Sequence, residues 1–427
     1  MHYFSTKHSA PTARFREAVL NGQPPDQGLY FPSEIPQFNA DLFQRLDTLS
    51  RAEIAFKTIQ PFVGGDIPDD ELRQICEETV DFDFPLVQIT PSIAALELFH
   101  GPTLAFKDVG ARFMSRCLAY FSKTRSEKTL VIAATSGDTG GAVAAGFHGA
   151  PGVEVVILYP KGRVSRLQEL QLTTFGGNVT TLEIHGNFDD CQTLAKQALA
   201  DAELQQRVTL SSANSINVAR WLPQQFYYLF ALREWNDPPP VFSVPSGNFG
   251  NLAAGLMAFR RGMPATHFLA ACNANDVVPR FLKTGNYEPL TAIPTLSNAM
   301  DVGAPSNFQR ILEMFSDASL GQVLSAVSVS DEQTAATMRS VHRQYGYMLD
   351  PHGAVGYRAL ADHLEQNGGR GIFLETAHPA KFDSVSEILG KAPEVPAAVA
   401  ALYERPRSGI EMNNNYSDLK ELILSKI

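Results

Sequence analysis

One lysine, two glycine-rich turns and one arginine among amides and hydroxyls are the residues of this 427-residue chain whose types and spacing could do chemistry. In HGPTLAFKDVGARFM, Lys107 follows an apolar stretch and precedes a helical pattern from Asp108. Val109, Phe113, Cys117 and Phe121 form one apolar stripe on that helix, so it packs inward and holds Lys107 near a cleft. A desolvated lysine gives up its proton more readily and becomes the amine nucleophile that Schiff-base chemistry needs. A snorkelling lysine paired with Asp108 or a nearby carboxylate is the plainer account of the same stretch.

VPSGNFGN, residues 244–251, reads as a strand running into a turn at a helix N-terminus. Gly247 and Gly250 let the backbone approach a ligand, and successive N–H groups there can surround a phosphate. An ordinary strand-to-helix turn explains the spacing as well, and the pattern is neither a P-loop nor a dinucleotide fingerprint. SGDTGG, residues 136–141, again ends a strand and opens a helix, with Ser136 and Thr139 offering hydroxyls and Asp138 a carboxylate. Capping of that helix by Ser136 or Asp138 is the alternative. SSANSINVARW gathers Ser212, Asn214, Ser215 and Asn217 ahead of Arg220, a set able to grip an anion, or equally a capped, solvated loop.

These groups need elements to carry them. TLVIAAT, VEVVILYP and NVTTLEIHG are short β-branched runs, each followed by a helical pattern, and VFSVPSGNFGN, HFLAACNAND and GIFLETAHPAKF resume the alternation later. Strands alternating with helices imply parallel βαβ units. The first ninety residues differ: LFQRLDTLSRAEIAFKTIQPFV and DDELRQICEETVDF are helical, and a mainly helical N-terminal domain is expected over residues 1–90. Three prolines in WNDPPPVF mark a second boundary, dividing α/β domains of residues 91–236 and 237–427. The SGDTGG and SGNFGN units would then be two halves facing one cleft.

A net charge of −10 argues against nucleic acid as the main partner without excluding a local cationic cleft for a small anion. Hydrophobic residues at 44% are enough for large cores. The four cysteines are far apart and no HExxH or His/Cys cluster occurs among the ten histidines, so neither a disulfide framework nor a metal site is expected. His352 and His378 stand alone in sequence and read as structural hydrogen bonders. No secretory signal or membrane span is legible, and a cytoplasmic protein is expected.

Taken together, HGPTLAFKD, SGDTGG, SSANSINVARW, PSGNFGN and ETAHPAKF stand in an order that resembles the threonine synthase family of fold-type II pyridoxal-phosphate (PLP) enzymes. The opening stretch, YFSTKHSAP to YFPSEIP, is also similar to that family's. The resemblance implies two αβα domains of the tryptophan synthase β kind meeting at a cofactor cleft, plus the N-terminal domain. It implies that Lys107 holds PLP as a Schiff base, and that Gly247, Asn248, Phe249, Gly250 and Asn251 bind its phosphate through backbone N–H groups. Thr376 would donate to the pyridine nitrogen. Asp138 stands where the wider fold puts an asparagine beside the 3′ oxygen; a carboxylate cannot donate there unless protonated, so it either shares a proton or points elsewhere.

The implied reaction converts O-phospho-L-homoserine and water to L-threonine and phosphate, with Lys107 as proton carrier. Asn214, Ser215 and Arg220 would hold the leaving phosphate, and Ser136 and Thr139 would lie near the substrate's carboxylate or phosphate. Two alternatives stay open at this point: a phospho-lyase returning a 2-oxo acid and ammonia, and a non-catalytic homologue. A monomer or homodimer is expected.

Overall fold

The computed structural model describes residues 1–39, 41–123, 127–135, 137–316 and 319–426. The N-terminal region opens on three antiparallel strands, with β1 (His2–Ser5) between β2 (Ala13–Arg14) and β3 (Tyr30–Pro32). Sequence reading passes over them because strands of two to four residues are too short to show alternation. The two expected helices follow at Arg51–Val63 and Asp69–Thr79. Ser50 and Glu53 cap the first reciprocally, with Ser50 Oγ accepting from Glu53 N at 3.2 Å. Buried Arg261 ties this region to the rest, donating to Pro36 O, Thr58 O and Gln225 Oε1 at 2.8–2.9 Å.

Two sheets follow. The strands before the lysine are β4 (Leu86–Thr90) and β5 (Ile93–Glu97). After it come β6 (Thr129–Ala134), β7 (Val153–Pro160), β8 (Val179–His185) and β9 (Thr209–Ser212). The later strands are β10 (Val241–Pro245), β11 (His267–Cys272), β12 (Leu324–Ser328), β13 (Gly371–Glu375) and β14 (Ile410–Asn413). One sheet has the order β14-β8-β7-β6-β9 and is wholly parallel. The other runs β12-β11-β10-β13-β5-β4, parallel except for the β4–β5 pair. Every residue of β6, β10 and β13 is buried, as central parallel strands covered on both faces must be.

The strands are not shared out in consecutive blocks. β4 and β5 complete the sheet built mainly from strands after residue 240, and β14 joins the sheet built before it. One consequence places the site. Parallel pairing sets Glu97 at the end of β5 beside Glu375 at the end of β13. The chain that continues from each strand therefore emerges at the same carboxyl edge, where ligands of open α/β sheets bind.

Candidate active site

At that edge the two continuations bond to each other. Leu98 N donates to Glu375 O at 2.9 Å, Phe106 N to Thr376 O at 2.9 Å, and His378 N to Leu104 O at 3.0 Å. Leu104 adopts a left-handed backbone, φ 58°, a conformation that costs a branched residue energy and persists only where its surroundings impose it. The turn is close-packed: a Cβ on Gly101 would come within 2.5 Å of Asp108 Oδ2. Thr103 caps the approach, its N and Oγ1 donating to the Asp108 carboxylate at 2.9 and 2.5 Å. Asp108 is thus bound to Thr103 and does not serve as the partner of Lys107.

Lys107 is the first residue of the helix Lys107–Ser122, one position earlier than the pattern suggests. Val109, Phe113, Cys117 and Phe121 are all buried, as the stripe requires. The ammonium makes no ion pair among the described residues. Desolvation, the largest influence, pushes it down to about 8; Asp138 pulls it upward, while Lys381 and then Arg220 push it further down. Roughly a tenth of such an amine is free at pH 7, far more than for an ordinary lysine.

Asp138 opens the helix Asp138–Phe147. Its Oδ1 lies 2.9 Å from Lys381 Nζ and accepts from Gln168 Nε2 at 2.9 Å. Burial would raise this carboxyl, but Lys381 and then Lys107, with the hydrogen bonds from Lys381 and Gln168, hold it well below the usual carboxylate range. Held by Lys381 and Gln168, Asp138 is a bound carboxylate. Lys381, its partner, is the residue that sequence reasoning missed. A lysine between Ala380 and Phe382 in a short turn carries no sign of its complete burial. A cavity of about 350 Å³ is lined by Lys381 and Gln168 together with Arg163, Ser165, Thr295 and Asn298.

Arg220 is buried on the helix Val218–Trp221, which Asn217 caps by accepting from Ala219 N at 3.0 Å. Burial lowers its guanidinium to about 10, opposed by Tyr227 and Asp108, so it stays cationic at neutral pH. Nη1 donates to Ala213 O, while Nε is buried without a hydrogen-bond partner. No carboxylate forms an ion pair with Arg220 among the described residues. Such a buried donor calls for an acceptor. Nearby, Ser215 Oγ accepts from Asn248 Nδ2 at 2.6 Å and Asn307 Nδ2 at 3.1 Å, which joins the SSANSINVARW segment to the glycine turn. Asn214 Oδ1 is a further buried atom without a partner.

The glycine turn leads into the helix Gly250–Arg260, whose N-terminus has no side-chain cap. Phe249 takes φ 61° there, and a Cβ on Gly247 would come within 2.5 Å of Met300 Cα. Asn251 is held by Tyr228 Oη, which lies 3.0 Å from both its backbone and side-chain oxygens, leaving Asn251 Nδ2 without a partner. Thr376 is almost fully buried at the end of β13, and Thr139 is half-buried on the first turn after Asp138. Ser136 lies outside the described residues. His352 and His378 are structural: His352 Nδ1 is 2.5 Å from Asp350 Oδ1, and His378 Nδ1 accepts from Ala380 N at 3.1 Å.

Residues 88–374 match the family described as pyridoxal-phosphate dependent enzyme, residues 2–80 match threonine synthase N terminus, and residues 353–423 match threonine synthase, C-terminal. The threonine synthase of Haemophilus influenzae is 44% identical over 430 residues, covering 99% of this chain and 100% of the relative. The crystal structure of threonine synthase from Escherichia coli superposes with a TM-score of 0.93 at 42% identity, covering 100% of both chains. That of PLP-bound threonine synthase from Brucella melitensis does so with a TM-score of 0.92 at 38% identity, covering 99% of this chain and 98% of that one. The similarity runs along the whole length, and the chain belongs to the threonine synthase family of pyridoxal-phosphate-dependent enzymes.

Proposed function

We propose that this chain converts O-phospho-L-homoserine and water to L-threonine and phosphate, with PLP held by Lys107. The observation that carries the reading is one cleft that combines a desolvated lysine, a buried arginine with no carboxylate partner among the described residues and an uncapped helix N-terminus. The residues fit the cofactor. The helix at Gly250 leaves its first N–H groups to an anion, and the left-handed turn at Phe249 aims the chain back on itself there. Gly247, Asn248, Phe249, Gly250 and Asn251 would hold the cofactor phosphate, Thr376 would meet the ring nitrogen, and Asp138 would stand near the 3′ oxygen as an acceptor. When bound, PLP supplies an electron sink that stabilises carbanions of the amino-acid substrate.

The chain's own residues then bind and move protons. Arg220, Asn214 and Ser215 would grip the substrate phosphate by charge-assisted hydrogen bonds, and Thr139 and Ser136 would lie near its carboxylate or phosphate. The Lys107 amine, which gives up its proton more readily than an ordinary lysine, would take the proton from Cα and then from Cβ. The Cγ–O bond breaks and the phosphate leaves with its electron pair, held by Arg220. Water adds at Cβ, and Lys107 returns protons to the carbon chain to complete threonine. The walls of the cleft, drawn from both sheets, would limit water to the step that needs it.

On this reading residues 1–90 form the N-terminal domain, 91–236 carry the lysine and 237–427 carry the glycine turn, while the strands of the last two cross between sheets. A monomer or homodimer in the cytoplasm is the proposed working form. Product analysis with O-phosphohomoserine tests the function: threonine and phosphate in equal amounts are expected, and 2-oxobutyrate with ammonia as the main products would overturn it.

A further inference from the structure

Lys381 stands on the single turn Pro379–Lys381 that follows β13, and it is fully enclosed. Its ammonium meets Asp138 Oδ1 at 2.9 Å and donates to Thr103 O at 2.7 Å. The pair joins one α/β sheet to the other, since Asp138 follows β6 and Lys381 follows β13. Every partner is itself held. Gln168 Nε2 donates to the same Asp138 oxygen, and Gln171 Nε2 donates to Thr103 O at 2.9 Å. A buried ion pair is a poor way to gain stability, because apolar residues of equal volume often do as well or better. Its presence here calls for another reason.

We propose that Lys381 is a positioning residue of this site: it engages Asp138 across the cleft and so leaves the Lys107 amine unpaired and able to react. The proposal rests on the reading of Lys107 as the cofactor's anchor. The charged groups acting on Lys107 are Asp138 from the helix at 138, Lys381 from the turn after β13, and Arg220 from the helix at 218. Of these, Asp138 alone favours the ammonium. Asp108, the next residue in the chain, is bound to Thr103 and feels Lys381 and Arg112, while His378 at the start of the turn feels Lys381. Without Lys381, Lys107 is the remaining lysine acting on Asp138. A carboxylate and an ammonium in a desolvated cleft then close on each other and hold the proton on the amine. Lys381 prevents this in two ways, by occupying the carboxylate and by opposing a second positive charge.

The test reads the Lys107 amine directly in the full chain with cofactor removed. Trace labelling with acetic anhydride across pH, followed by mass spectrometry of the peptide carrying residue 107, gives the pH at which the amine is half free. Lys381→Met and Lys381→Gln should raise this midpoint by about one pH unit, a tenfold loss of free amine at fixed pH, while Lys381→Arg holds the wild-type value. A midpoint that stays or falls in the Met and Gln variants, or that rises as far with Arg, overturns the proposal. If the Met and Gln variants fail to fold, Asp138→Asn with Lys381→Met leaves no unpaired buried charge. With the carboxylate gone its midpoint should stay near the wild-type value, and a rise of about one pH unit or more there, independent of Asp138, overturns the proposal. The anchor reading is checked separately by reducing the PLP-loaded chain with borohydride; cofactor mass on a different lysine would sink that reading and leave the titration result standing.

Discussion

Lys381 Nζ stands 2.9 Å from Asp138 Oδ1 with both side chains buried, so the two α/β sheets share one ion pair at the cleft. The pairing gives a buried aspartate the cationic partner it needs. The carboxylate stays charged, accepts from Lys381 and Gln168, and leaves its neighbour Lys107 without an ion-pair partner among the described residues. Burial that would be costly for either charge alone is offset by the other.

Lys107→Ala should lower threonine formation by about a thousandfold or more, because the same amine both anchors the cofactor and carries protons. Phosphate release and threonine yield measure this. Turnover within tenfold of wild type would assign the chemistry to a different residue.

The pH dependence follows from the depressed value of Lys107. Its folded value of about 8 lies below that of a lysine in the unfolded chain. Across the window between the two values the unfolded chain therefore binds more protons, and stability from this group rises with pH there. Below the folded value its contribution is at its lowest. In cofactor-free protein, the stability advantage of Lys107→Met over wild type should shrink as pH is raised through the window. Urea unfolding at several pH values checks it, and an advantage that grows with pH would contradict the assigned direction. PLP uptake by wild type should likewise slow about tenfold per pH unit below the folded value, since only the free amine reacts.

Arg220→Lys should reduce kcat/KM for the phosphorylated substrate by about tenfold to a hundredfold, because an ammonium cannot reproduce the planar fork of donors. If the loss appears in KM, the arginine grips the phosphate in the ground state; if in kcat, it acts chiefly as the phosphate departs. Unchanged steady-state kinetics would remove Arg220 from the site.

Gly110→Ala sets two effects against each other. In a helix interior alanine is better than glycine by about 1 kcal/mol. Here, however, the added Cβ would come within 2.5 Å of Arg220 O and 3.2 Å of Arg220 Nε. Overpacking of this kind costs about 1–3 kcal/mol, and the contact is with backbone that cannot swing away. The variant should therefore melt at a lower temperature and bind substrate more weakly, as Arg220 is displaced. A higher melting temperature would show that the two helices can separate at no cost.

The sequence by itself determined the local pieces. The stripe Val109, Phe113, Cys117 and Phe121 specifies an inward-packed helix whose mouth holds Lys107, because apolar spacing at 3.6 residues needs no distant partner to be read. The turn at Gly247–Gly250 is legible from its glycines, and β6, β7 and β8 from their β-branched runs, which are equally local signals. Tertiary structure decided the rest. The pairing of β5 with β13 joins residues nearly three hundred apart and sets Thr376 beside the approach to Lys107, and no local pattern encodes which open sheet edge a strand will take. The same holds for Lys381: its burial and its bond to Asp138 exist only once the two sheets face each other, since a charge is worth burying only where the opposite charge is already held.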